Sequence, residues 1–86
     1  MTKKILLIDD EILVRETVKL ALDHAGFETT TLEHSTLAFE QVLKAPPDLI
    51  LMDLYMPELN GLDLCRKLKE DPGTKSVPII MFTGSN

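Results

Sequence analysis

A doubly wound α/β domain built on a parallel sheet is the fold class predicted by this sequence of 86 residues. Three observations predict it. Residues 5–8 (ILLI), 49–52 (LILM) and 79–82 (IIMF) are short, wholly apolar runs, as expected of strands covered on both faces. Between them lie segments whose apolar residues recur every three or four positions, the spacing of a helix with one buried side. The connections are short. Such alternation implies right-handed crossovers, with helices on both faces of the sheet.

The elements follow in the order β-α-β-α-β-α-β. The first strand, residues 5–8, runs into Asp9, Asp10 and Glu11. Residues 11–25 read as a helix, with Val14, Val18, Ala21, Leu22 and Ala25 on one side and Arg15, Glu16, Lys19 and Asp23 elsewhere. Gly26 then supplies a residue that adopts the left-handed conformation at little cost. Residues 27–32 have the Thr-rich, half-polar character of an edge strand. Ser35 or Thr36 is expected to cap a second helix that continues to residue 44, and Pro46 and Pro47 stop it. Residues 49–52 form the second apolar strand and 57–61 a loop. Asn60 is expected to cap a third helix through residue 70, with Leu64, Cys65 and Leu68 on its apolar side. Asp71, Pro72 and Gly73 signal a turn. Residues 77–82 form the last strand, with Pro78 acceptable near its start.

Composition narrows the function. The hydrophobic fraction of 44% suffices for a core and argues against disorder. A net charge of −5 without a basic stripe argues against direct contact with nucleic acid. The single cysteine, Cys65, allows no internal disulfide and suits a reducing compartment, so a cytoplasmic location is expected. The apolar run after Lys3 and Lys4 is too short for a signal sequence and ends in acids, and no segment is long enough to span a membrane.

The chemistry sits at the strand ends. If the three apolar runs are parallel neighbours, their carboxyl ends bring Asp9, Asp10, Asp53 and Thr83 to one crevice, the place where open α/β sheets take ligands. A few carboxylates with room for water suit Mg²⁺, which prefers octahedral oxygen coordination. Zinc does not fit, because neither His24 nor His34 nor Cys65 has a partner at ligand spacing. Three crowded carboxylates repel one another and so favour a cation. With one bound, a carboxylate can act as a nucleophile toward an activated phosphoryl group, and a hydroxyl on the adjacent strand can hydrogen-bond a phosphoryl oxygen.

Residues 5–11 (ILLIDDE), 47–61 (PDLILMDLYMPELNG) and 77–84 (VPIIMFTG) together resemble the response-regulator receiver domains of two-component signalling. The resemblance runs through the whole chain in order and implies a flavodoxin-like sheet with strand order 2-1-3-4-5. It implies that Asp9 and Asp10 are the acidic pair that holds Mg²⁺. Asp53 is then the phosphoacceptor and a further metal ligand. Tyr55 supplies a backbone carbonyl to the metal, Thr83 is the switch hydroxyl, and Pro57 and Gly61 shape the loop after the acceptor strand. The implied partner is a sensor histidine kinase or a phosphotransfer protein, and the implied role is that of a phosphoacceptor rather than an enzyme.

Members of the family continue with a fourth helix, a fifth strand that carries a lysine, and a fifth helix, none of which lies in these 86 residues. Residues 1–86 therefore read as a receiver domain truncated after its fourth strand. The last strand becomes an open edge, and one sheet face is left uncovered. Self-association as a homo-oligomer through both is expected. An alternative function follows: a receiver fragment that is not phosphorylated and acts as an interaction or scaffold module. A flavin-binding module fits poorly, because the loop after the first strand is acidic and offers no cradle for a phosphate.

Overall fold

The computed structural model describes residues 2–54 and 61–82. In chain order these form β1 (Lys4–Ile8), α1 (Ile12–His24), β2 (Glu28–Leu32), a short 3₁₀ turn (Ser35–Leu37), α2 (Ala38–Lys44), β3 (Leu49–Asp53), α3 (Gly61–Glu70) and β4 (Ile79–Phe82). The strands make one parallel sheet in the order β2-β1-β3-β4. The predicted fold class, the element order and the edge position of the Thr-rich strand are all observed. The register sets Ile8 beside both Leu32 and Met52, and Asp53 beside Phe82. The ends of β1 and β3 are therefore level, and that places Asp9 and Asp53 together.

Side chains alternate between faces along each strand. Leu6 and Ile8 of β1, and Ile50 and Met52 of β3, join Ala38 and Val42 of α2, Leu64 and Leu68 of α3, and Val77 in one core. Ile79 and Met81 of β4 pack against it. The opposite face carries α1, which lies over β1 and β2. Ile5 and Leu7 are buried there, whereas Ile80 of β4 is 53% exposed. No residue of α1 itself is buried. The predicted apolar side is present, but Val14, Val18 and Leu22 are only half-buried, and Ala21 and Ala25 are exposed. Ile12, Leu13 and Leu20 point into solvent.

Several local details follow from residue chemistry. Gly26 has φ +97, a conformation in which a Cβ is costly. Its N–H donates to the Asp23 carbonyl and that of Phe27 to the Leu22 carbonyl, both at 3.1 Å. This pair of bonds is the Schellman closure of a helix. After α3, the Asp71 carboxylate accepts from the Gly73 N–H at 2.7 Å, and the buried Thr74 hydroxyl donates to the Leu68 carbonyl at 2.6 Å. Lys69 donates to the Val77 carbonyl at 2.8 Å. Together these tie the end of α3 to the approach to β4.

Two expectations need correction. Neither Ser35 nor Thr36 caps α2: a 3₁₀ turn begins at Ser35, with His34 in the capping position and no side-chain cap bond. The Ser35 hydroxyl is instead buried without a partner. The helix read from residue 11 begins instead at Ile12, with Glu11 as its N-cap residue in extended backbone. The expected Asn60 cap lies outside the described residues. No helix among the described residues is long and apolar enough to cross a membrane.

Candidate functional site

The site is assembled at the carboxyl ends of β1 and β3. Asp9 directly follows β1, Asp10 comes next, and Asp53 is the last residue of β3. Asp9 is fully buried and Asp53 nearly so, at 7% exposed, while Asp10 is half-buried. One carboxylate oxygen from each can be chosen so that all lie within 4.8 Å of one another. The sequence placed these three acids together, and the geometry does so too. Tyr55, Pro57 and Thr83, also assigned to the site from sequence, lie outside the described residues.

Asp9 is held from several directions. Its N–H donates to the Leu32 carbonyl at 3.1 Å. Its Oδ1 accepts from the Glu11 N–H at 2.9 Å, at the entrance to α1. Its carbonyl oxygen accepts from Arg15 Nη1 at 2.8 Å. Its other carboxylate oxygen, Oδ2, is buried and has no hydrogen-bond partner. An orphaned buried carboxylate oxygen beside two further acids is what a site for a hard cation requires. If a cation is held here, Asp9, Asp10 and Asp53 would be the residues that supply carboxylate oxygens to it.

Burial is the largest influence on Asp9 and raises its pKa above the ordinary value. The Glu11 N–H works against this, while the charges of Asp53, Asp10 and Glu11 add to the rise. The consequence for stability follows from linkage. In metal-free buffer the unfolded chain releases the Asp9 proton near pH 4, and the folded chain holds it to higher pH. Stability from this group is therefore full below about pH 4 and is lost as the pH rises through the folded value.

Asp9→Asn should remove that loss. Two unit charges about 5 Å apart repel by roughly 3 kcal/mol at an effective dielectric near 20, and the partial exposure of Asp10 reduces this. We expect the metal-free variant to gain on the order of 1 kcal/mol at neutral pH, or about 4–8 °C in melting temperature. The gain should vanish near pH 4, and the variant should respond less to added Mg²⁺ than the parent chain. Thermal melts across pH, with and without the ion, measure all three.

Sequence reasoning missed Arg15 as part of this neighbourhood, having placed it on the polar side of a helix. Its bond to Asp9 spans six residues and a change of backbone direction, so no helical spacing announces it. His24 and His34 are both exposed.

A parallel sheet of order β2-β1-β3-β4 with three acids gathered at its carboxyl edge marks a class of α/β domain that works on ligands held at its strand ends. The comparisons with known proteins make the class specific. The response regulator receiver domain family matches residues 5–86. The phosphate regulon transcriptional regulatory protein PhoB of Pseudomonas aeruginosa is 42% identical over 81 residues, covering 94% of this chain and 35% of that protein. The DNA-binding response regulator MtrA of Mycobacterium tuberculosis is 40% identical over 83 residues, covering 96% and 35%. Among solved structures, the N-terminal domain of a response regulator receiver protein from Methanoculleus marisnigri superposes with a TM-score of 0.92 at 27% identity, covering 99% of this chain and 69% of that one. The chemotaxis response regulator CheY4 of Vibrio cholerae gives 0.88 at 31% identity, covering 94% and 68%. The chain belongs to the response regulator receiver domain family. It spans about a third of the length of the relatives it matches, 35% in both cases.

Proposed function

We propose that residues 1–86 form a phosphoacceptor receiver of a two-component phosphorelay, in which Asp53 takes a phosphoryl group and Asp9, Asp10 and Asp53 hold Mg²⁺. The observation that carries this reading is the buried, unpartnered Oδ2 of Asp9, a residue whose carboxylate clusters with those of Asp10 and Asp53. The family membership supports it. The ion, when bound, would offset the charge of the carboxylates and of the transferring oxygens. The chain's own part is to fix Asp9 and to hold Asp53 at the rigid end of a central strand. One Asp53 oxygen forms the new bond to phosphorus as the bond to the leaving group breaks, and the electron pair departs with that group. The donor would be a phosphohistidine on a sensor histidine kinase or phosphotransfer protein, or a small acyl phosphate. The Tyr55 carbonyl as a further metal ligand and the Thr83 hydroxyl as the group that meets the phosphoryl oxygen belong to the same proposal. The chain takes up a group and holds it, so it is read as a signalling module rather than an enzyme with turnover, and as cytoplasmic.

The test is incubation with acetyl phosphate, with and without Mg²⁺, followed by intact-mass measurement. One added phosphoryl group is expected, dependent on Mg²⁺. No uptake at saturating ion would favour the scaffold reading instead. The named DNA-binding function of MtrA is not transferred to these residues, whose net charge of −5 opposes contact with a nucleic-acid backbone.

A second reading concerns association, and exposed apolar groups favour it. Leu13 is 79% exposed, Ile12 63%, Leu20 62% and Ile80 53%, and β4 pairs only with β3 among the described residues. For a chain of these 86 residues we infer self-association as a homo-oligomer through β4 and the uncovered face beside α1. Sedimentation equilibrium should show a species larger than the monomer, and Ile80→Lys should shift it toward monomer. A cooperatively folded monomer at all concentrations would contradict this.

A further inference from the structure

We propose that Arg15 is a positioning residue for the metal ligands, acting through the peptide unit that joins Asp9 to Asp10. This rests on the reading of the acid cluster as a Mg²⁺ site and extends it to a residue outside the cluster. The carbonyl that accepts from Arg15 Nη1 at 2.8 Å is that of Asp9. A carbonyl belongs to a planar unit that includes the next residue's nitrogen and both flanking Cα atoms. Fixing that oxygen therefore fixes the plane between the two Cα atoms from which the Asp9 and Asp10 side chains project. The Leu32 carbonyl holds the preceding N–H of Asp9, and the Glu11 N–H holds its Oδ1. With Arg15 in place, Asp9 is constrained on both sides of its Cα, and its buried Oδ2 is left without a partner.

Arg15 is suited to this by its place on α1. It lies in the first turn of the helix, where its own N–H donates to the Glu11 carbonyl at 2.9 Å. Long helical side chains lean toward the helix N-terminus, which brings the guanidinium of this half-buried residue back over the β1–α1 connection. Glu11 caps α1 through its backbone alone, with no side-chain cap bond, so the Arg15 contact is a further tie between helix and strand end.

Charge and geometry predict opposite signs, which makes the inference decidable. If Arg15 acted only as a nearby positive charge, its removal would tighten cation binding. If it sets the ligand plane, its removal weakens binding. Loss of a group that orients a metal ligand typically costs about 10–100-fold in affinity.

The experiment is a Mn²⁺ titration of the full chain followed by electron paramagnetic resonance of the free ion, at a temperature where circular dichroism shows each variant folded. Arg15→Gln should weaken Mn²⁺ binding roughly tenfold. Arg15→Lys, which keeps a charged donor, should recover most of that loss. Lys19→Gln removes the same charge from the same helix, where Lys19 pairs with Asp23 at 2.7 Å, and should leave affinity within about twofold of the parent chain. Equal or tighter binding by Arg15→Gln would overturn the role of Arg15 and leave the metal site standing. If Arg15→Gln does not fold, Arg15→Lys decides: affinity at or near that of the parent chain supports the role, and a loss as large as tenfold overturns it. Absence of binding by the parent chain would overturn both the metal site and the inference that rests on it.

Discussion

Asp53→Asn is expected to abolish uptake of a phosphoryl group from acetyl phosphate at any Mg²⁺ concentration, while the metal-free chain melts no lower than the parent. The substitution is nearly isosteric, so the close packing around this residue, 7% exposed at the end of β3, is kept. What changes is chemical. A carboxylate oxygen attacks phosphorus as an anion, and an amide does not. One of the three clustered acids also disappears, which relieves repulsion within the metal-free site. Loss of activity together with unchanged or improved folding is a pairing that damage to the fold would not produce. Intact mass and thermal melting read the two halves separately. Uptake equal to that of the parent chain would place the acceptor elsewhere.

Leu64→Ala should cost about 3 kcal/mol, within the 2–5 kcal/mol usual for a fully buried leucine. Leu64 is 0% exposed and sits in the single core that joins α2, α3 and the sheet. At about 4–8 °C per kcal/mol for a domain of this size, the melting temperature should fall by at least 12 °C. Leu62, two residues earlier on α3, is 56% exposed, and Leu62→Ala should stay within about 0.5 kcal/mol. The contrast also bears on the site. The first residue of α3, Gly61, approaches the end of β3 so closely that an added Cβ would stand 3.0 Å from the Asp53 carbonyl oxygen and 3.0 Å from the Leu54 Cα. Its N–H donates to the Leu54 carbonyl at 2.8 Å. A loosened α3 therefore loosens the segment that carries Asp53. Chemical denaturation of the two leucine variants measures the difference.

β1 is buried on both faces and reads as an unbroken apolar run; β3 reads the same way, although its Leu49 and Leu51 are only half-buried. Their shared ends made Asp9, Asp10 and Asp53 legible as a cluster, since in-register parallel strands deliver their last residues to one edge. The α2 start was not legible. Ser35 and Thr36 have capping chemistry, but the chain enters through a 3₁₀ turn that buries the Ser35 hydroxyl instead. Periodicity located the apolar side of α1 but not its cover: spacing shows which residues face the same way, not how much of the sheet lies beneath them. Arg15 was invisible for a different reason. Its partner is a backbone carbonyl in a connection, and a backbone atom leaves no mark in the sequence.

The most direct test of the central claim is to locate the phosphoryl group. After reaction with acetyl phosphate and Mg²⁺, borohydride reduces an acyl phosphate at an aspartate to homoserine, and peptide fragmentation reads its position. Conversion is expected at position 53 alone, dependent on Mg²⁺. Conversion at Asp9 or Asp10, or none at any acid of the cluster, would contradict it.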